Sequence, residues 1–130
     1  MKKKLWTLLL LGAFMLPFNT YAETEVTTDF TLSKDITNGI VVKKGSDVTI
    51  NLGKYNVTNE NGGDTIKIEE GAKATITGNG KVTGNTQSKA VIANYGTVTI
   101  KGGNYSREQK ANNGYYVFLN WGDAIIEDGY

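Results

Sequence analysis

Residues 45–55 read GSDVTINLGKY, residues 71–82 GAKATITGNGKV, residues 96–105 GTVTIKGGNY and residues 122–130 GDAIIEDGY. The four segments superpose on a glycine and an isoleucine. Gly45, Gly71, Gly96 and Gly122 follow one another at steps of 26, 25 and 26, and Ile50, Ile76, Ile100 and Ile126 at steps of 26, 24 and 26. Within each segment apolar residues alternate: Val48 with Ile50, Ala74 with Ile76, Val98 with Ile100, Ala124 with Ile126. That period of two is the mark of a half-buried strand. A second apolar set precedes each glycine, where Ile40, Ile66, Ile92 and Phe118 recur at steps of 26, 26 and 26, followed two residues later by Val42, Ile68, Asn94 and Asn120. Each repeat therefore holds at least two strands.

Short strands joined by polar turns at near-constant length, with no segment of helical period between them, predict an all-β solenoid of about four coils of 26 residues each. A sandwich of consecutive hairpins also explains the alternation, but it gives no reason for equivalent positions to recur 26 apart. Charge supports the same register. At a 26-residue offset Lys43 meets Glu69, Lys44 meets Glu70, Asp47 meets Lys73 and Lys101 meets Glu127, all opposite in sign, whereas like charges directly across a sheet repel.

The chain opens on MKKKLWTLLLLGAFMLPFNTYA, with Lys2, Lys3 and Lys4 ahead of the apolar run Leu5 to Met15 and small residues around Ala22. This is the pattern of a cleaved secretory leader over residues 1–22, cut after Ala22. The apolar run is about half of the roughly 20 residues a spanning helix needs, so no stable membrane insertion is expected once the leader is removed. Loss of the three leader lysines leaves 11 basic against 13 acidic residues with no basic patch, which argues against a nucleic-acid partner. There is no cysteine, so neither disulfides nor a lipoprotein attachment thiol can hold an exported chain, and there is no histidine either.

The stretches SDVTINLGKYNVTN (46–59) and ANYGTVTIKGGNYS (93–106) resemble the secreted bacterial right-handed parallel β-helix proteins with pectate-lyase-like adhesive domains. The likeness covers residues 30 to 130 and rests on strand, turn glycine and strand. It implies a right-handed single-stranded parallel β-helix, residence in the medium or on the cell surface, and adhesion. The wider fold also houses polysaccharide lyases and hydrolases, so the resemblance admits a second reading as the N-terminal part of such an enzyme.

Three sets of residues are candidates for a role. Asn94 and Asn120 replace aliphatic residues in an inward column just before the turn, where stacked amides can satisfy one another and the nearby backbone; they are expected to form a structural ladder. Tyr95 and Trp121, one residue further on, fall in the turn where the first two repeats carry Lys43 and Glu69. Two neighbouring exposed rings make a stacking platform for the C–H faces of sugars, so they are the candidate binding residues for a glycan or for a host or matrix protein. Tyr55, Tyr105 and Tyr130, at steps of 50 and 25, are expected to form a corner column with hydroxyls in solvent. Thr49, Thr75 and Thr99 suggest a flat threonine face, but the paired column two residues on reads Asn51, Thr77, Lys101 and Glu127 and does not repeat them.

Catalysis would need clustered carboxylates with a cation to balance charge developing at the sugar. Asp64 sits in a turn, Glu69 and Glu70 are matched by lysines, Asp123, Glu127 and Asp128 lie in the last coil, and the single arginine is Arg107 in the loop SREQKANNG. No catalytic set, metal site or cofactor is expected. Residues 23–39, with Phe30 and Leu32 alternating, are expected to supply a capping strand ahead of coils over 40–130. The last coil reads as incomplete, which predicts either a longer protein or end-to-end self-association into a structural assembly through the open edge.

Overall fold

The computed structural model describes residues 22–108 and 115–130; the expected leader, apart from Ala22, lies outside them. The described residues form thirteen strands and no helix, and every strand pair is parallel. The strands are β1 (Thr24–Val26), β2 (Phe30–Thr31), β3 (Ile40–Val42), β4 (Asp47–Asn51), β5 (Asn56–Val57), β6 (Ile66–Ile68), β7 (Lys73–Thr77), β8 (Lys81–Gly84), β9 (Ile92–Asn94), β10 (Thr97–Lys101), β11 (Asn104–Arg107), β12 (Phe118–Asn120) and β13 (Asp123–Asp128). They stack into three sheets, ordered β1-β3-β6-β9-β12, β2-β4-β7-β10-β13 and β5-β8-β11. The molecule is a β-solenoid in which three successive coils contribute a strand to every sheet.

The alternation in the sequence is what the coils bury. Ile40, Ile66 and Ile92 line the first sheet inside, and Ile50, Ile76 and Ile100 the second; all are buried. Val48, Ala74 and Val98 run beside them in register and are buried in the same core. The third sheet is shorter and was not separable in the sequence. Its inward column is Val57, Val82 and Tyr105, one apolar residue per strand, too few to set a period.

That register splits the expected tyrosine column. Tyr105 pairs with Val82, which pairs with Val57, so Tyr55 lies two positions earlier in its own coil and Tyr130 faces the segment ahead of Tyr105. The Tyr105 ring packs on the core and its hydroxyl donates to the Gly102 carbonyl at 2.6 Å rather than reaching solvent. Burial pushes this phenol above its ordinary pKa.

Residues 23–39 do more than supply one strand. β1 pairs with β3, β2 pairs with β4, and Ile36 bridges to Val57, so the segment enters all three sheets in turn as a short first rung. Val26, Leu32 and Ile36 from it are buried. At the far end Ile126 is 62% exposed and every residue of β13 is open to solvent.

Candidate functional site

The turn between the first and second sheets changes length halfway up the stack. Val42 and Ile68 are register partners, as are Asp47 and Lys73, which leaves the four-residue turns 43–46 and 69–72. Ile68 also pairs with Asn94 and Lys73 with Thr97, so the next turn is Tyr95–Gly96 alone, and Trp121–Gly122 follows suit. Two residues are lost here, which is why the isoleucine step falls to 24 while the Ile66 to Ile92 step stays at 26.

The expected single glycine column is accordingly two. Gly45 and Gly71 sit two residues ahead of their strands with φ of 88° and 83°, a backbone region open to glycine at little cost. Gly96 and Gly122 sit directly before theirs and are there for room: a Cβ on either would come well under 3.0 Å from the carbonyl oxygen of Ala72 or Gly96 in the rung below.

The asparagines appear where the turn shortens. Asn94 is fully buried. Its Nδ2 donates to Asn120 Oδ1 at 2.7 Å and to the Asp123 carbonyl at 2.9 Å, with a longer bond to the Gly96 carbonyl, while its Oδ1 accepts from the Gly96 amide. Asn120 repeats the local pattern on Gly122. The side-chain oxygens of the two asparagines take up the amides of the turn glycines Gly96 and Gly122, and a buried amide left without such a bond would cost about 1–3 kcal/mol.

Immediately after each of these inward residues comes an outward one. The amides of Glu69, Tyr95 and Trp121 donate to the carbonyls of Val42, Ile68 and Asn94, so Lys43, Glu69, Tyr95 and Trp121 stand in one column up the turn. Tyr95 is 37% exposed and Trp121 72%, on successive rungs about 4.8 Å apart. Lys67 Nζ lies 5.8 Å from the centre of the Tyr95 ring. Lys67, Glu69, Glu70 and Tyr95 line an open cleft of about 240 Å³. Lys67 escaped notice in the sequence because it sits mid-strand; its outward phase, two residues from Glu69 and in register with Ala93, was the available signal.

The lower half of the column is ionic. Lys43 Nζ lies 3.3 Å from Glu69 Oε2 and 3.7 Å from Glu25 Oε2, linking three rungs. Glu69 also accepts the Lys44 backbone N–H at 2.9 Å, and that bond, with Lys43 beside it, holds the Glu69 carboxyl below its usual pKa. The Glu69 hydrogen bond and charge raise Lys43. Of the other expected pairs, Asp47 and Lys73 are register partners, Lys44 lies over Gly71, and Lys101 faces Asp128 rather than Glu127 because the register shifts after Ile100.

The remaining candidates are engaged in holding loops. Asp64 Oδ1 accepts the Ala90 amide at 2.7 Å. Arg107 ends β11, and its guanidinium donates to the carbonyls of Thr86 and Lys89, clasping the loop between β8 and β9. Among the described residues no group of three or more acidic, histidine or cysteine side chains is placed to hold a metal ion. Comparison with protein-family models, with curated proteins and with solved structures returns no match for this chain.

Proposed function

We propose that this chain is a module of a secreted or cell-surface protein that binds glycans without transforming them, through the turn column that carries Tyr95 and Trp121. The observation that carries the reading is that the backbone hydrogen bonds set two exposed aromatic residues on adjacent rungs of the stack. The backbone register brings both residues to one side of the turn, so their apolar area is available to the C–H face of a pyranose. Lys67 and Glu70, which line the cleft beside Tyr95, offer a donor and an acceptor to hydroxyl groups. Export is supported by the charged and apolar pattern of residues 1–22, and the resemblance to adhesive β-helix proteins agrees with it.

The test is a glycan array probed with the chain and with its Tyr95→Ala and Trp121→Ala variants. A discrete set of glycans bound by the parent, with each variant weaker by about tenfold, is the expected result. Both side chains are exposed, so both variants should melt close to the parent. Binding that persists unchanged in the double variant would remove the site.

A further inference from the structure

We propose that Asn61 is a site of spontaneous covalent modification: in the folded chain the backbone nitrogen of Gly62 attacks the Asn61 side-chain amide, and the loop gains a carboxylate. An asparagine followed by glycine is suited to this closure, because glycine has no Cβ to obstruct the approach of its nitrogen. The chain has four such steps, Asn38–Gly39, Asn61–Gly62, Asn79–Gly80 and Asn113–Gly114, the last outside the described residues. Closure needs a glycine amide that is able to lose its proton and a side chain that is able to turn onto it. The fold opposes this at two of the three described steps. Gly39 is buried and its amide donates to the Thr58 carbonyl at 2.9 Å, while the Asn38 side chain accepts from Thr24 Oγ1 at 2.9 Å and donates to the Ala22 carbonyl at 2.8 Å. Gly80 is buried as well, so close to the rung below that a Cβ on it would come well under 3.0 Å from the Tyr55 carbonyl oxygen, and the Asn79 amide donates to the Gly53 carbonyl at 2.8 Å.

Asn61 and Gly62 differ on each count. Both are exposed, in the loop between β5 and β6. The Gly62 amide reaches the Asn59 carbonyl at 3.5 Å, beyond the roughly 2.7–3.2 Å of a well-formed N–H···O bond. A Cβ built on Gly62 meets nothing within 4 Å, so the backbone there has room to rotate. The loop is anchored behind the step by Asn59, which is buried, donates from Nδ2 to the Asp64 carbonyl and accepts the Asn61 amide at Oδ1. In the reaction the Gly62 nitrogen loses its proton and bonds to Asn61 Cγ, the bond from Cγ to the side-chain nitrogen breaks, and ammonia leaves. Water then opens the imide at either carbonyl, giving aspartate or, where the backbone is rerouted through Cβ and Cγ, isoaspartate. The net change is one amide and one water to one carboxylic acid and one ammonia. The new carboxylate arises in the cleft that Asn61 lines with Glu23, Asn59, Gly62 and Gly63, on a stretch, residues 60–64, that already carries Glu60 and Asp64 and no base. This loop joins the third sheet to the first, whereas the Tyr95 turn joins the first to the second, so the modification is independent of the turn proposed to bind glycans.

The test is to incubate the chain at near-neutral pH, folded and in parallel in denaturant, and to follow each asparagine by peptide mass mapping with fragmentation that separates aspartate from isoaspartate. In denaturant Asn38, Asn61 and Asn79 should all convert. In the fold Asn61 should keep its denatured-state rate within a factor of about three, while Asn38 and Asn79 slow by about tenfold or more, because each must wait for local opening of the stack. Conversion at Asn61 should yield isoaspartate as well as aspartate and should speed up in proportion to hydroxide, as loss of the Gly62 amide proton requires. Asn61→Gln, whose longer side chain does not form the five-membered ring, should remove the change from that peptide. Slowing of Asn61 in the fold as strong as that of Asn38 and Asn79 would overturn the proposal. So would equal folded-state rates at all three steps, or aspartate formed at residue 61 with no isoaspartate.

Discussion

Asn94 decides more than its size suggests. In the rungs below it the same column holds Val42 and Ile68, so a purely apolar replacement would fit the packing. What valine cannot do is accept the Gly96 amide or donate to Asn120 and Asp123. Asn94→Val should therefore lower unfolding stability by about 2 kcal/mol or more, read by chemical denaturation, whereas a site governed by packing alone would tolerate it. Tyr105→Phe tests a single bond, that from the hydroxyl to the Gly102 carbonyl, and should cost about 1 kcal/mol. The charges on the turn have a defined pH window. Glu69 titrates below its ordinary value in the fold, so its contribution is complete above the ordinary carboxylate range and is lost as pH falls through the lowered value. Lys43 is raised, so its contribution holds below the ordinary lysine value and fades as pH rises through the raised one. Glu69→Gln should flatten part of the acid limb in melting experiments between pH 7 and pH 3, and the effect should shrink in high salt.

At the level of elements, turn length and turn chemistry are coupled. The four-residue turns use glycines with positive φ, and the two-residue turns use asparagine together with a glycine that leaves room for the rung below. Inserting two residues between Tyr95 and Gly96 should restore the longer turn and remove much of the demand on Asn94. The penalty of Asn94→Val should then fall by half or more in the inserted variant, measured as a double-mutant cycle. The sequence showed the strands of the first two sheets plainly, because each presents two inward residues that recur along the chain. It hid the third sheet, whose two- to four-residue strands offer one inward apolar position each. The loss of two residues was visible as the step of 24, yet the glycine step of 25 concealed that Gly96 had changed places with respect to Gly71. The shift between Ile100 and Lys101 is a local irregularity that spacing alone does not reveal, and it moved the partner of Lys101 by one residue. For the candidate site, Tyr95 and Trp121 were legible as neighbours from the repeat, whereas the approach of Lys67 to the Tyr95 ring depends on side-chain direction across a strand.

Across the whole molecule the inward columns form one continuous core, so its middle should carry the most weight. Ile76 is fully buried between Ile50 and Ile100, and Ile76→Ala should cost about 2–5 kcal/mol. Long-range stacking also explains how a turn becomes a surface: Lys43, Glu69, Tyr95 and Trp121 are far apart in sequence and adjacent in space only because the rungs are in register. The site and the fold therefore stand on the same claim, that the register steps by 24 residues across the second-sheet strands at this turn while it steps by 26 in the first sheet. Scalar couplings through the backbone hydrogen bonds, measured by NMR, read that register bond by bond. The predicted result is coupling of the Tyr95 amide to the Ile68 carbonyl, of the Thr97 amide to the Ala72 carbonyl and of the Trp121 amide to the Asn94 carbonyl. Coupling of the Thr97 amide to the Glu70 carbonyl, as a constant 26-residue offset requires, would contradict the shortened turn and the aromatic column built on it.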